Sequence, residues 1–366
     1  MAVFSPDRRE LLLAHLREHG TSRISDLVSV LGASDVTVRR DVDNLEREGL
    51  ARRFHGGVAL IDPDAERRAD RQRELKIGVV LPAGPYFRSV LAGAREAADD
   101  AGAHLMLALS HYDGDEDLRS IRRHLDNGAH GLLLAPAPEG SSRHTQLEKE
   151  LRKLRVPVVL VERQLAGERL VDVFDHVVTD HDAGARGAVE HLARLGHRRI
   201  ALLVKDLGPT APLLRAGYAR AVTALNLATD MPVLVVPHAP GPDGELDRAL
   251  AQAADTLAAH RVTAVLAHGD EEALALQNLL LHRGVRIPGQ LAMVSYDDEI
   301  ASVASIPMSA IAPPKQALGQ IGLERLIDRI RNGPATPVHH LTLLPTLVVR
   351  ETCGGAARIP RAARAA

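Results

Sequence analysis

The stretch ISDLVSVLGASDVTVRRDVDNLEREGLARRFHGGV, residues 24–58, decides how the first part of the chain folds. Ser25–Leu31 sets Leu27 and Leu31 four residues apart, the spacing of one helix face. Gly32 allows a tight turn, and Ser34 can cap a third helix by accepting from a free N–H in its first turn. Val38, Val42 and Leu45, at spacings of four and three, give that helix its inner face. Thr37, Arg39 and Arg40 fall in its first two turns and point away from that face. After Gly49 the pattern alternates through Arg52, Arg53 and His55 about a glycine tip, as a hairpin does. Upstream, Ser5 and Pro6 open a first helix as cap and first residue, with Leu12, Leu13 and Leu16 as its buried stripe.

Three short helices and a hairpin suit a winged helix-turn-helix. In that arrangement the first turns of the third helix enter the major groove. Ser34, Thr37, Arg39 and Arg40 then face bases and phosphates, and Arg52, Arg53 and His55 on the wing face phosphates. Asp41 is read as structural, bonded to a nearby arginine. Pattern alone leaves a second reading open, because a helical module with exposed arginines also suits protein–protein contact.

Beyond the hairpin, residues 61–75 (IDPDAERRADRQREL) are nearly all charged and read as a linker. From Lys76 the chain alternates apolar runs with amphipathic helices, the mark of parallel α/β architecture. The runs are Lys76–Leu81, His104–Leu109, Gly131–Ala135, Val156–Val161, His176–Val178, Arg199–Val204, Val233–Val236, Thr263–Ala267 and Leu291–Tyr296. So many strands exceed one compact sheet of this kind, and two lobes with a cleft between them are expected. The expected organisation is a head at 1–60, a linker at 61–75, a two-lobed unit at 76–352 and a disordered tail at 353–366.

Composition narrows the function classes. The chain has 366 residues, 45 % hydrophobic and 25 % charged, as in ordinary globular proteins of two to three domains. Aromatics are 2 % and Trp is absent, so the cores must be aliphatic. A net charge of −2 neither supports nor excludes nucleic acid. No apolar run is long enough to span a membrane, the N-terminus lacks a signal-peptide pattern, and the lone Cys353 precludes an intrachain disulfide. A cytoplasmic protein is expected. There is no phosphate-binding glycine loop, dinucleotide fingerprint or nucleophile elbow. The 18 histidines are scattered, and the adjacent His339 and His340 would face opposite sides of a strand. The chain is therefore expected to be no enzyme and to hold no metal and no cofactor.

The stretch 24–58 resembles the winged helix of the DeoR family. Ser34, Thr37, Val38, Arg39, Arg40, Asp41, Leu45, Gly49, His55, Gly56 and Gly57 carry the pattern, which covers nearly all of residues 6–59. Operator DNA is the implied partner. Residues 76–350 do not continue as that family usually does, into a sugar-phosphate sensor. They resemble instead the effector domain of the LacI/GalR family, which shares the fold of periplasmic sugar-binding proteins. KIGVVLP, EHLARLGHRRIALL, LLRAGYARAV, TAVLAHGDEEALAL, GVRIPGQLAMVSYDD and TLLPTLVVRET carry this second resemblance. The LacI-type head and hinge helix are absent, so the chain resembles a hybrid. The implied fold class is α/β, a winged helix-turn-helix followed by a two-lobed, Rossmann-type sensor.

The second resemblance implies ligand contacts position by position. Pro85, Tyr86 and Phe87 follow the first strand, where a ligand ring is contacted. Arg215 would grip hydroxyls or a carboxylate, and Asp297 would accept from hydroxyls. Glu162 and Arg163 stand where an Asp-Arg pair is common. Asp180 follows what reads as the first strand of the second lobe, with His181 in place of Asn. Asp270 stands after Gly269, where Asn-Asp is frequent. Asp180, Asp270 and Asp297 would alternatively cap the helices that follow their strands; for Asp270 that role is preferred, and for Arg215 and Asp297 ligand contact is preferred. The implied protein is a ligand-responsive regulator, a repressor of carbohydrate-metabolism genes, acting as a homodimer. Its small-molecule effector is a sugar, with a nucleoside, purine or sugar phosphate as the alternative. The rival classes are a sugar-binding transport protein and a sugar-acting enzyme.

Overall fold

A computed structural model of the chain describes residues 5–54, 57–60, 75–137, 144–163, 173–206, 208–237 and 244–355. His55 at the wing tip and residues 61–74 of the expected linker lie outside the described residues. The chain divides into two compact units, Met1–Glu74 and Leu75–Ala366.

In the first unit, α1 (Ser5–His19), α2 (Ile24–Leu31) and α3 (Asp35–Arg47) enclose an aliphatic core. A small antiparallel sheet, ordered β1 (Thr21–Ser22), β3 (Gly57–Leu60), β2 (Ala51–Phe54), completes it. Leu12, Leu16, Leu27, Leu31, Val38, Val42 and Leu45 are all buried, as their spacing requires. Each aliphatic side chain so buried contributes about 1.5–3 kcal/mol, which lets a small domain stand without Trp. Gly32, at φ 59°, ends α2 and turns the chain into α3. Arg8 reaches from α1 to Asp41 on α3, with Nε donating at 2.6 Å, so Asp41 is the structural residue expected. Ser5 lies inside α1 and not at its cap.

The second unit has two six-stranded sheets. Lobe 1 holds β4 (Leu75–Pro82), β5 (Ala103–Ser110), β6 (Gly131–Leu134), β7 (Val158–Val161), β8 (Asp175–Thr179) and β14 (His340–Leu343). Its order is β14-β8-β7-β6-β4-β5, all parallel. Lobe 2 holds β9 (Ile200–Lys205), β10 (Val233–Val236), β11 (Ala264–His268), β12 (Ala292–Tyr296), β13 (Ser309–Ala312) and β15 (Thr346–Val348). Its order is β10-β9-β11-β12-β13-β15, antiparallel only at the last pair. Every residue of β6, β7 and β11 is buried, because helices cover both faces of a parallel sheet.

All nine expected strands form, but one belongs elsewhere. His176–Val178 was expected to open lobe 2. It lies in β8, which pairs in parallel with β7 and belongs to the lobe 1 sheet. Three strands, β13 to β15, escape the sequence reading because SAIA, HLTL and TLV are short and two of them half-exposed.

The helices are α4 (Pro85–Ala101), α5 (Gly114–Asp126), α6 (His144–Leu151), α7 (His181–Arg194), α8 (Thr210–Ala224), α9 (Glu245–Ala259), α10 (Asp270–His282) and α11 (Lys315–Asn332). Although α11 follows β13 of lobe 2, it packs on α4 in lobe 1. A Cβ at Gly93 would lie 1.9 Å from the Gln316 carbonyl oxygen, and one at Gly319 would lie 1.8 Å from that of Val90. The two helix backbones therefore touch, which no larger residue permits. Three segments cross between the lobes, at Asp180, at Pro313-Pro314 and at Leu344-Pro345. Cys353 and Gly355 are buried, so the folded body runs past Thr352, where the tail was expected to start. Residues 356–366 lie outside the described residues.

Candidate functional site

The head presents one polar surface along α3. Ser34 caps the helix, accepting from the Thr37 N–H at 3.4 Å, and its hydroxyl lies 2.8 Å from that of Thr37. Arg39 is tied to Asp35 one turn back (2.5 Å), and Arg53 on the wing pairs with Asp43 (2.5 Å) and donates to the Arg39 carbonyl (2.8 Å). Among the described residues, Arg40 and Arg52 have no ion pair. Exposed ion pairs contribute about 0–1 kcal/mol, so Arg39 and Arg53 can exchange their partners for phosphates at little cost. Six of the seven expected contacts fall among the described residues, and all but the half-buried Thr37 are exposed.

In the second unit, a cavity of about 320 Å³ lies between the lobes, at the size expected for a small-ligand site. It forms where parallel strands end, because the C-terminal ends of both sheets open toward it. Tyr86 and Phe87 follow β4, Tyr112 follows β5, and Glu162 and Arg163 follow β7. From lobe 2 come Lys205 at the end of β9, His268 and Asp270 around the end of β11, and Asp297 after β12.

Glu162 ties the two lobes together at the cleft floor. It accepts from the Tyr86 hydroxyl, from the Thr179 N–H (3.1 Å) and hydroxyl (3.0 Å), and pairs with His181 Nε2 at 2.8 Å. His181 Nδ1 lies 2.9 Å from the Tyr296 hydroxyl of lobe 2. Burial, the largest influence on the Glu162 carboxyl, pushes its pKa up, but His181, Tyr86 and Thr179 together bring it below the ordinary value. The Glu162 backbone is left-handed at φ 59°, as are Asp297 at 103° and Asp298 at 55°. Such strain at non-glycine residues costs about 1–3 kcal/mol each and gathers where side chains must be aimed.

Arg163 is 6 % exposed. It donates to the Pro136 carbonyl at 2.5 Å, and its guanidinium lies 4.6 Å from the Tyr112 ring centre and 5.7 Å from that of Phe87. Lys205 is held by Glu272 at 3.1 Å. The Asp297 carboxyl is pushed up to about 6, by burial first and then by the Asp270 carboxylate. Lys315 donates to the Asp297 carbonyl, pairs with Glu299 and sits 5.3 Å from the Tyr86 ring centre.

Of the expected ligand residues, Tyr86, Phe87, Glu162, Arg163, Asp270 and Asp297 line the cleft. Asp180 and Arg215 do not. The Asp180 carboxylate caps α7, accepting from the Ala183 N–H at 2.8 Å. On α8 it is Thr210 that meets the cleft. Arg215, five residues on, is turned about 140° from it around the axis. Asp270 does not cap its own helix. It accepts from the N–H groups of Glu299 (2.5 Å), Ile300 (2.9 Å) and Ala301 (3.2 Å) and so fixes the loop after β12. Asp298 pairs with Arg350 at 2.6 Å. The sequence reading missed Tyr112, Lys205, His268 and Glu299. The strand-end rule would have flagged Lys205 and His268, which are the last residues of β9 and β11.

A sequence profile for a DeoR-like helix-turn-helix domain matches residues 8–64, and one for a periplasmic binding protein-like domain matches residues 189–353. The ribose operon repressor of Haemophilus influenzae is 29 % identical over 297 residues, 79 % of this chain and 85 % of that protein. The structure of a LacI-family transcriptional regulator from Sanguibacter keddieii superposes with a TM-score of 0.63 at 27 % identity, over 77 % of this chain and 100 % of that one. A complex of the regulator CelR with cellobiose superposes with a TM-score of 0.65 at 24 % identity, over 90 % of this chain and 99 % of that one. The chain carries an N-terminal helix-turn-helix domain and a two-sheet, periplasmic binding protein-like domain, and its relatives are LacI-family repressors.

Proposed function

We propose that this chain represses carbohydrate-metabolism genes and that a sugar or related small molecule, bound between the lobes, controls its hold on operator DNA. The observation that carries the reading is the cleft, with aromatic rings from lobe 1 and charged groups from both lobes, in a chain that also bears a helix-turn-helix. An aromatic face packs on the CH groups of a sugar ring. Each hydroxyl stripped of water needs a polar partner, and Asp297 and its neighbours supply acceptors. The relatives point the same way, since one is named for a ribose operon and another was solved with cellobiose. The protein acts in the cytoplasm and has no catalytic role.

It works as a homodimer. The edge strands β5 and β10 expose Leu107, Leu109, Val233 and Val235, apolar surface that a second copy would cover. Ligand favours one lobe arrangement, and the population shift alters the spacing of the two heads. A thermal-shift screen against sugars, sugar phosphates and nucleosides tests the reading. A ligand at a hundred times its Kd adds about 2.7 kcal/mol of stability. Operator titrations with and without that ligand follow. No stabilising compound, or one that leaves DNA affinity unchanged, counts against the proposal. In the same titration Arg40→Ala is expected to weaken binding by roughly 1–3 kcal/mol.

A further inference from the structure

Val36, in the first turn of α3, is 76 % exposed, while the other apolar residues of that helix, Val38, Val42 and Leu45, are all buried. Its exposure has no local structural reason, because a β-branched residue is a weaker helix former than the straight-chain polar residues that would serve there. It packs in neither the core of the head nor the wing. Its surroundings are also sorted. Arg39 is drawn onto Asp35, so the cation one turn on from Asp35 at the start of the helix is held by a carboxylate. Arg40, four residues along and on the same face, is exposed and has no ion pair among the described residues.

An apolar side chain at the leading end of a major-groove helix has one apolar partner there among the unmodified bases, the 5-methyl group of thymine. We propose that Val36 is a specificity-determining residue that reads a thymine methyl in each operator half-site, beside a guanine read by Arg40. This rests on the DNA-binding reading above. Four residues of helix advance about 6 Å. Contacts that close together fall in one half-site, so the thymine and the guanine are near neighbours in it.

The test uses the full chain and the duplex it selects from a random pool. Each thymine of the enriched half-site is replaced in turn by deoxyuridine, which pairs identically but lacks the methyl. One replacement should weaken binding about fourfold, the value of burying one methyl-sized group. Val36→Ala should weaken binding to the thymine duplex by a similar factor and bind thymine and uracil duplexes equally. The inference is overturned if no uracil replacement affects the wild-type chain, or if Val36→Ala keeps the thymine preference. The wild-type arm stands even if the variant folds poorly. A pool that enriches no sequence overturns the DNA-binding reading itself, which is a different result.

Discussion

The two walls of the cleft are built from different chemistry. Lobe 1 brings Tyr86, Phe87 and Tyr112, with Arg163 laid against two of the rings. Lobe 2 brings Lys205, His268, Asp270 and Asp297. The first wall offers area and shape and tolerates many ligands of the right thickness. The second offers directed hydrogen bonds, each of which fails if its partner is missing. Affinity for a ring is then expected to come mostly from lobe 1, and discrimination among sugars from lobe 2. Glu162 does not fit the division, since its partners stand on both sides.

Removing Glu162 should therefore give the largest effect. Glu162→Ala strands His181 on one side and Tyr86 and Thr179 on the other, and should cost about 3 kcal/mol of stability in urea denaturation. A loss below about 1 kcal/mol would mean that the two walls are not joined through this residue. Asp297 comes next. Asp297→Ala should abolish the effector response in a reporter assay and leave operator affinity intact, and a normal response would remove Asp297 from the site. Its acidity gives an independent check. The folded pKa, about 6, lies above the ordinary value of 3.8, so between these values the folded chain binds more protons than the unfolded one. The Asp297 contribution to stability should thus be fullest below about pH 4, fall as pH rises and level off above about 6, by about 3 kcal/mol in total. Asp297→Asn, compared with wild type by urea denaturation at pH 4.5 and 7, should lack that decline. The smallest effect belongs to the aromatic wall. Tyr112→Leu should weaken ligand binding about fivefold, the value of one ring face at about 1 kcal/mol, without changing which sugar is preferred. A changed preference would dissolve the contrast between the walls.

The head was more legible in the sequence than the cleft, for a physical reason. In the head, contacts lie within one short stretch, so Ser34, Val38, Arg40 and Asp41 announce themselves by helical spacing. In the cleft, the residues that meet are far apart in the chain. Glu162 meets Tyr86 across 76 positions, and His181 meets Tyr296 across 115. The family resemblance pointed to Asp297 and Glu162, and both line the cleft. It left Asp180 open between ligand contact and the helix cap that it forms, and gave no sign that Arg215 would be turned around its helix. The meeting of Gly93 and Gly319 was equally hidden, because nothing near either residue reports a partner over two hundred positions away.

The return of α11 and β14 to lobe 1 has a consequence for the order in which the protein can be made. Lobe 1 begins at β4 yet lacks its Gly319 contact and its edge strand until residues 315–343 have been synthesised. At about 5–20 residues per second, those segments leave the ribosome many seconds after β8. During that interval the helix-turn-helix and most of lobe 2 are already available to fold, while α4 waits with its glycine groove uncovered. A nascent chain arrested before residue 315 should expose that groove, and one arrested beyond residue 343 and clear of the exit tunnel should not. The lobe that starts first therefore stays incomplete until β14, only just ahead of the β15 strand that completes lobe 2, and the cleft comes into being only when nearly the whole chain exists.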